Sequence, residues 1–178
     1  MIVKIDSETP VITLDTGRLF PETYDLINKT ASRYKIKIKI VFPDTESVEK
    51  MVSEKGINLF YDSIENRKLC CLVRKIDPFQ KALKPYEYWI SGLRKSQSVT
   101  RKAMQLIEWD DINSMIKINP LMNWTLEETW QYAKENNVPY NSLHDKNYPS
   151  IGCQPCTREV MAGEDIRAGR WWWENPEN

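Results

Sequence analysis

Apolar and polar positions near the start of the chain follow first the period of a strand and then that of a helix. The apolar run Pro10–Leu14 predicts a short strand. Tyr24, Ile27 and Ala31 then recur at helical spacing after Pro21, a residue suited to the first turn of a helix. The first segment is therefore predicted to fold as a strand, a loop and a helix.

The same order of patterns repeats in the next segment. Isoleucines alternate with lysines over residues 36–41, which predicts a second strand. Asp44 can cap a helix that ends at Gly56, where a glycine permits the backbone to turn. Two successive strand–helix units predict an α/β fold with a parallel sheet.

The second half of the chain continues with strands, a polar loop and one further helix. Tyr86–Ile90 and Ile116–Ile118 are predicted strands, and the loop Ser91–Ser98 between them has the polar and basic composition of an anion site. Thr125–Glu128 is a capping box that opens a helix. The stretch Tyr140–Gly169 is rich in Asn, Asp, Pro and Gly, and its length predicts a functional loop rather than a simple connection.

Length and charge narrow the class of protein. The chain has 178 residues, with 25 basic and 25 acidic side chains and a formal net charge of zero. This length predicts one domain, residues 1–178, with an irregular loop region at about 140–178. Zero net charge argues against recognition of nucleic acid or a membrane surface by bulk charge.

The sequence has neither a signal-peptide pattern nor an apolar run of the about 20 residues that cross a bilayer, so we expect a cytoplasmic protein.

Four cysteines stand in two pairs, Cys70-Cys71 and Cys153-x-x-Cys156. A [4Fe–4S] cluster requires one thiolate per iron and can accept neighbouring cysteines on different irons. A structural zinc site usually takes two C-x-x-C knuckles, which the adjacent pair fits poorly. A redox C-x-x-C would leave the first pair unexplained, and buried free thiols would explain single cysteines better than two pairs. On the residues alone the cluster is favoured, and zinc, redox and buried thiols stay open.

Several long motifs of the chain, occurring in the same order, resemble the assimilatory adenylyl-sulfate reductases. The resemblance spans nearly the whole chain and is clearest in the two cysteine-bearing motifs, Cys70–Lys75 and Tyr148–Arg158. The other matching segments are Leu14–Gly17 with Pro21–Thr23, Ile90–Ser98, Asn119–Leu121, Trp124–Thr125, Val138–Asp145 and Gly163–Glu174.

The resemblance implies a fold and an activity. The fold is an adenine nucleotide α-hydrolase-like (Rossmann-like) parallel sheet flanked by helices, incomplete at both ends of this chain. The activity is the reduction of adenylyl sulfate to sulfite and AMP in sulfate assimilation, with thioredoxin as electron donor. Relatives that act on the 3′-phosphorylated nucleotide generally lack the cluster, so adenylyl sulfate is favoured as substrate without excluding use of both.

The resemblance also implies a set of site residues, named here by their positions in this sequence. A [4Fe–4S] cluster would be held by Cys70, Cys71, Cys153 and Cys156. The nucleotide and its sulfate would lie near Asp15, Thr16, Gly17, Lys75, Arg94, Arg101, Arg167 and Arg170. Planar guanidinium groups and a lysine are the side chains that a phosphosulfate dianion requires.

Two features of the family are not found in this sequence. The family mechanism uses a cysteine thiolate in a C-terminal tail, but four cluster ligands would use all four cysteines, so the chain has no catalytic nucleophile and is expected to be inactive as given. The family's serine-rich phosphate loop is also missing before Leu14. These departures favour a reductase fragment. A non-catalytic iron–sulfur nucleotide-binding module is the alternative, and a homo-oligomer is among the assembly states left open.

Overall fold

The structure is a computed structural model, which describes residues 1–98 and 101–174. The last four residues of the predicted loop region, 175–178, lie outside the described residues. The helices are α1 (Ile2–Ile5), α2 (Pro21–Tyr34), α3 (Thr45–Lys55), α4 (Ile64–Cys71), α5 (Asp77–Leu83) and α6 (Leu126–Glu135). The strands are β1 (Val11–Leu14), β2 (Ile38–Val41), β3 (Tyr88–Ile90), β4 (Ile107–Asp110) and β5 (Met115–Ile118).

Contacts divide the chain into two compact units, which are described separately. The cysteine unit consists of residues 1–79 together with the chain from Pro139 onward, and the middle unit consists of residues 80–138. The prediction of one domain for the whole chain stays a prediction. No helix in the part of the chain that the structure describes is both long and apolar enough to cross a membrane.

The cysteine unit begins with the predicted strand–helix repeat. Strands β1 and β2 pair in parallel, in the register that sets Val11 opposite Ile38. The intervening helix α2 has Pro21 in its first turn, as the sequence predicts. Helix α3 is capped by Asp44, whose Oδ1 accepts a hydrogen bond from the Ser47 amide at 3.0 Å, and it ends at Gly56 with φ 87°.

The core of the cysteine unit surrounds two of the cysteines. Its buried residues are Met51, Leu59, Phe60, Cys70 and Cys156. Trp171 and Trp173 are partly buried and pack against this cluster. Two of the three consecutive tryptophans therefore serve as packing residues beside the cysteine pairs.

The middle unit contains a mixed sheet in the order β3-β5-β4. Strand β3 runs parallel to β5, and β4 runs antiparallel to it. Tyr88, Ile116 and Trp109 lie side by side across the sheet and are exposed, so this face of the sheet is apolar and open to solvent. The predicted capping box is confirmed, since the Thr125 hydroxyl accepts from the Glu128 amide at 3.1 Å and the Glu128 carboxylate accepts from the Thr125 amide at 2.8 Å.

The opposite face of this sheet carries an ion pair. Lys117 Nζ lies 2.8 Å from Glu108 Oε1, with 16% and 24% of the two side chains exposed. The fully buried Asn119 also donates to this carboxylate, at 3.0 Å. These contacts, the Lys117 hydrogen bond first among them, hold the pKa of Glu108 below its ordinary value of 4.5.

We expect Glu108→Gln to reduce the acid sensitivity of the protein. Because the pKa of Glu108 is lower in the folded state than in the unfolded chain, its contribution to stability is present at neutral pH and is lost as the pH falls below about 4.5. The variant should lose about 1 kcal/mol of unfolding free energy at pH 7 and much less at pH 3. Urea unfolding at both pH values measures this, with Glu49→Gln on the exposed surface of α3 as control. An equal loss at the two pH values would contradict the assignment.

Candidate functional site

All four cysteines line one cavity of about 270 Å³ in the cysteine unit. The cavity wall also contains five basic side chains and no carboxylate from the described residues. The basic residues are Arg18, Arg67, Arg74, Lys75 and Arg170. The site, called the cysteine cavity below, therefore combines four thiol groups with a strongly cationic wall.

Helix α4 carries the first cysteine pair at its C-terminal end. Ser63 caps the start of the helix by accepting from the Asn66 amide at 3.1 Å, and the helix ends at Cys71. The chain then widens into a π-helical turn over Leu72–Ile76. Such turns are rare and are frequently found at functional sites. Here the turn carries Arg74 and Lys75 into the cavity wall.

A short 3₁₀ turn, Gln154–Cys156, positions the second cysteine pair. The Thr157 hydroxyl donates to the carbonyl of Cys153 at 2.9 Å and accepts from the Gly152 amide at 3.2 Å. The Gln154 amide donates to the carbonyl of Arg18 at 2.8 Å, which ties the turn to the loop after β1. The irregular sequence here thus forms a hydrogen-bonded turn that presents both thiols.

The thiols differ in their surroundings. All four are free, with Cys70 and Cys156 buried and Cys71 and Cys153 half-buried. Burial, reinforced by the neighbouring cysteine sulfurs, raises the pKa of Cys156 to about 12. Burial also raises the pKa of Cys70, although Arg74 opposes the shift. The raised pKa disfavours the thiolate form of both side chains, and a bound cation would favour it.

Among the loop residues predicted after β1, Thr16 lies in the cavity wall. Its hydroxyl oxygen is 3.2 Å from Cys153 Sγ. Asp15 is buried, and its carboxylate accepts from the Gly17 amide at 2.7 Å and from the Tyr24 hydroxyl at 3.1 Å. Gly17 has φ 72°, a conformation that glycine adopts readily. Asp15 and Gly17 thus shape the turn that brings Thr16 to the cavity.

Two of the cavity's guanidinium groups have an unused donor. Arg74 donates through Nη1 to the carbonyl of Thr16 at 2.9 Å, while its Nε is buried without a partner. Arg170 contacts the Ser150 hydroxyl through Nη1 at 3.4 Å, and its Nε is also buried without a partner. Burial, with nearby Arg167 adding to the effect, lowers the pKa of Arg170, but a guanidinium remains charged at neutral pH. Buried unpaired donors of this kind are suited to an anion.

Two other arginines of the wall are bonded to protein groups. Arg67 forms a two-point ion pair with Glu174, at 2.7 Å from Nε and 3.0 Å from Nη2. Arg18 donates to the carbonyl of Ile57 at 2.7 Å and to the Asn58 side chain at 3.2 Å. The five cations are therefore not equivalent, and Arg74 and Arg170 have the clearest capacity to bind a ligand.

The basic residues that the sequence singles out do not all lie in the cavity. Lys75 and Arg170 line it, whereas Arg167 is not among the lining residues and lies 6.0 Å from the centroid of the Trp171 ring. Arg94 and Arg101 belong to the middle unit, where Arg94 bonds to the Thr129 hydroxyl and Arg101 to the Gln97 side chain, both at 2.5 Å. Arg94 Nε is a third buried donor without a partner.

Sequence reasoning did not identify Arg67, Arg74 or Trp171 as site residues. Arg67 and Arg74 stand three or four residues before and after the cysteine pair, the spacing that places side chains on one helix face. That spacing could have indicated both arginines. For Trp171 the only signal was its place in the tryptophan run.

In residues 1–98 and 101–174, no three His, Cys, Asp or Glu side chains come close enough together to bind one metal ion. The four thiols therefore share a cavity without converging on a single point. This arrangement differs from a tetrahedral site around one ion, in which all ligands lie within about 2.3 Å of the metal.

Comparison with known proteins gives consistent results. Residues 1–159 match the family described as the phosphoadenosine phosphosulfate reductase domain. Adenosine 5′-phosphosulfate reductase of Allochromatium vinosum is 48% identical over 167 residues, which cover 94% of this chain and 65% of that protein. The corresponding protein of Rhizobium tropici is 46% identical, covering 92% of this chain and 91% of the relative. The chain thus spans about 65% of the length of the first of these relatives.

Solved structures give the same fold. The crystal structure of phosphoadenylyl-sulfate reductase from Candida auris, a phosphate complex, matches with a TM-score of 0.71 and 36% identity, covering 88% of this chain and 76% of that one. Candida glabrata FMN adenylyltransferase matches with a TM-score of 0.59 at 17% identity, covering 92% and 51%, a likeness of fold alone. The predicted α/β fold, adenine nucleotide α-hydrolase-like with helices flanking parallel strands, is confirmed.

Gly152→Ala should disturb the cavity without altering a polar group. A Cβ at this position would overlap the guanidinium of Arg170, so that side chain would have to move. Because the guanidinium is the free end of a flexible side chain, we expect it to shift at a cost below about 1 kcal/mol in unfolding free energy. Gly92→Ala is the control, because a Cβ there meets nothing within 4 Å. A loss well above about 1 kcal/mol relative to the control in urea unfolding would show that Arg170 cannot move away from this position.

Proposed function

The chain belongs to the phosphoadenosine phosphosulfate reductase family, and on that premise we propose that it forms the cluster-bearing, substrate-binding core of an adenylyl-sulfate reductase. The single observation that carries the proposal is the cysteine cavity, where four free thiols and five cations line one space. Reduction of adenylyl sulfate to sulfite and AMP, as part of sulfate assimilation, is the reaction that this combination supports.

A [4Fe–4S] cluster is the proposed cofactor, with Cys70, Cys71, Cys153 and Cys156 as its ligands. The donors fit the group, because a cubane takes one thiolate on each of four irons and so needs four sulfurs around a shared space rather than around one point. Bound iron would also supply the positive charge that the buried thiols need to ionise. When bound, the cluster would act as an electrostatic and structural element beside the substrate.

The chain's own cations are proposed to hold the phosphosulfate. Arg74 and Arg170 would donate their unused Nε–H groups to its oxyanions, and the exposed Lys75 would add a point charge. By resemblance Arg94, Arg101 and Arg167 are further candidates for the sulfate and phosphate groups. The turn Asp15–Gly17 is the proposed neighbour of the nucleotide.

Adenylyl sulfate is the proposed substrate because the most similar proteins described above are adenosine 5′-phosphosulfate reductases and because both cysteine pairs are present. Use of the 3′-phosphorylated nucleotide as well is the alternative favoured by the likeness to the Candida auris enzyme. A non-catalytic iron–sulfur module that binds nucleotide is a second alternative, because all four cysteines are assigned to the cluster.

The electron donor is proposed to be thioredoxin. Since none of the four cysteines would remain for attack on the sulfur, the thiol step would need a thiolate from outside the cluster ligands. Free thiols suit a reducing compartment, so we propose a cytoplasmic location. Assembly into a homo-oligomer stays a prediction.

Arg170→Gln should weaken adenylyl-sulfate binding by about tenfold or more, because it removes a charged donor that no protein group satisfies. Isothermal titration calorimetry under anaerobic conditions measures the affinity. Arg158→Gln is the matched control, since Arg158 is an arginine of the same loop whose side chain is bonded to Glu164. Equal affinities of wild type and both variants would remove Arg170 from the site. No binding to the wild type would contradict the proposed function itself.

Cys153→Ser should abolish retention of the cluster, because a serine hydroxyl is a far weaker ligand for iron than a thiolate. We expect the purified variant to contain less than one iron per chain, determined by a colorimetric iron assay. Circular dichroism reports whether the fold survives. A variant that retains the wild-type iron content would exclude Cys153 as a ligand.

A further inference from the structure

Arg67 lies between two side chains of the segment Trp171–Glu174. Its Nε and Nη2 are bonded to the two carboxylate oxygens of Glu174, and only 15% and 16% of these side chains are exposed. Its guanidinium carbon also lies 4.4 Å from the centroid of the Trp171 ring, within the range of a cation–π contact. Arg67, a side chain of helix α4, therefore contacts both the first and the last residue of this segment.

Trp171 is the residue that this arrangement holds in place. Its side chain lines the cysteine cavity, and its amide donates to the carbonyl of Cys156 at 3.2 Å. The guanidinium of Arg170 lies 5.2 Å from the same ring. The backbone of Trp171 has φ 51°, a left-handed conformation that is unfavourable for a bulky residue and persists only where neighbouring contacts impose it.

We infer that Arg67 and Glu174 form a clip that fixes Trp171 as a wall of the cysteine cavity. Arg67 is thus a positioning residue and not an anion ligand, although it lines the cavity beside Arg74 and Arg170. The clip joins the helix that carries Cys70 and Cys71 to the segment that follows the second cysteine pair. This inference goes beyond the proposed function, because it does not depend on which cofactor or nucleotide the cavity binds.

The loop region that contains Glu174 also contains a second Arg–Glu ion pair, which serves as a matched control. Arg158 and Glu164 also form a two-point pair, at 2.7 and 2.8 Å, but 35% and 32% of their side chains are exposed. Glu164 additionally accepts from the Met161 amide at 2.7 Å. Neither residue lines the cysteine cavity. The effect of breaking an Arg–Glu ion pair can therefore be compared between Glu174, beside the cavity, and Glu164, away from it.

The test is hydrogen–deuterium exchange of the purified protein, with whatever cofactor it retains, followed by peptide mass spectrometry. The amides of Arg170, Trp171 and Glu174 are hydrogen-bonded, at 2.8, 3.2 and 2.8 Å, and report on the segment. In Glu174→Gln we expect these amides to exchange about tenfold faster, because the segment opens locally when the charged pair is lost. Arg67→Lys, which keeps the charge but loses the two-point geometry, should give a smaller increase.

Amides of the paired strands β1 and β2 distinguish local opening from general destabilisation. They should exchange at wild-type rates in Glu174→Gln and in Arg67→Lys. Glu164→Gln should accelerate exchange at Met161 and leave Arg170–Glu174 unchanged. Glu174→Gln is the deciding variant unless it accelerates exchange throughout the chain. In that case Arg67→Lys, which keeps the charge, becomes the deciding variant.

The inference is overturned if exchange of Arg170–Glu174 in the deciding variant stays within twofold of the wild type. It is also overturned if Glu164→Gln accelerates these amides as much as Glu174→Gln does. Because the readout needs neither adenylyl sulfate nor iron, its failure is distinct from failure of the proposed function.

Discussion

The convergence of two distant cysteine pairs on one cationic cavity is the constraint on which the rest of the cysteine unit depends. Neither pair can reach the other through local structure, since one ends helix α4 and the other lies in a loop far along the chain. The loop after β1 lies between them. Thr16 contacts Cys153 through its hydroxyl and Arg74 through its carbonyl, so one residue links both cysteine-bearing segments.

The electrostatics of the cavity explain why its components belong together. Burial raises the pKa of the Cys70 and Cys156 thiols, while the guanidinium groups stay charged. Glu174 neutralises Arg67, but none of the described residues that line the cavity is a carboxylate that could balance the other cations. Such a wall is costly for a folded protein unless it is matched by an anionic occupant. A cluster bound to four thiolates and a phosphosulfate ligand would both provide negative charge. The arginines then divide into two roles. Arg67 and Arg18 hold the structure, whereas Arg74 and Arg170 each keep one buried Nε without a partner and are able to bind.

The sequence predicted those elements whose signals are local. The strand predicted over residues 36–41 forms over Ile38–Val41, although Ile40 is exposed, and the cap at Asp44 and the capping box at Thr125 are both present. Each of these features depends on residues within one turn or strand. Strand β4 was missed, although its apolar and acidic residues alternate with the period of a strand. The π-helical turn after Cys71 has no distinctive sequence pattern. The partner of Arg67 is the Glu174 carboxylate, and the partner of Arg74 is the backbone carbonyl of Thr16. Neither could be predicted, because both partners are distant in sequence and only the fold brings them to these arginines.

We propose that the four cysteines hold one iron–sulfur cluster in a cavity that binds a small anion. The most direct test is the iron, zinc and acid-labile sulfide content of the wild-type protein purified under anaerobic conditions. We expect about four irons and four sulfides per chain, as a cubane on four cysteines requires, and little zinc. Stoichiometric zinc without sulfide, or a protein without bound metal that still binds adenylyl sulfate with full affinity, would contradict the account.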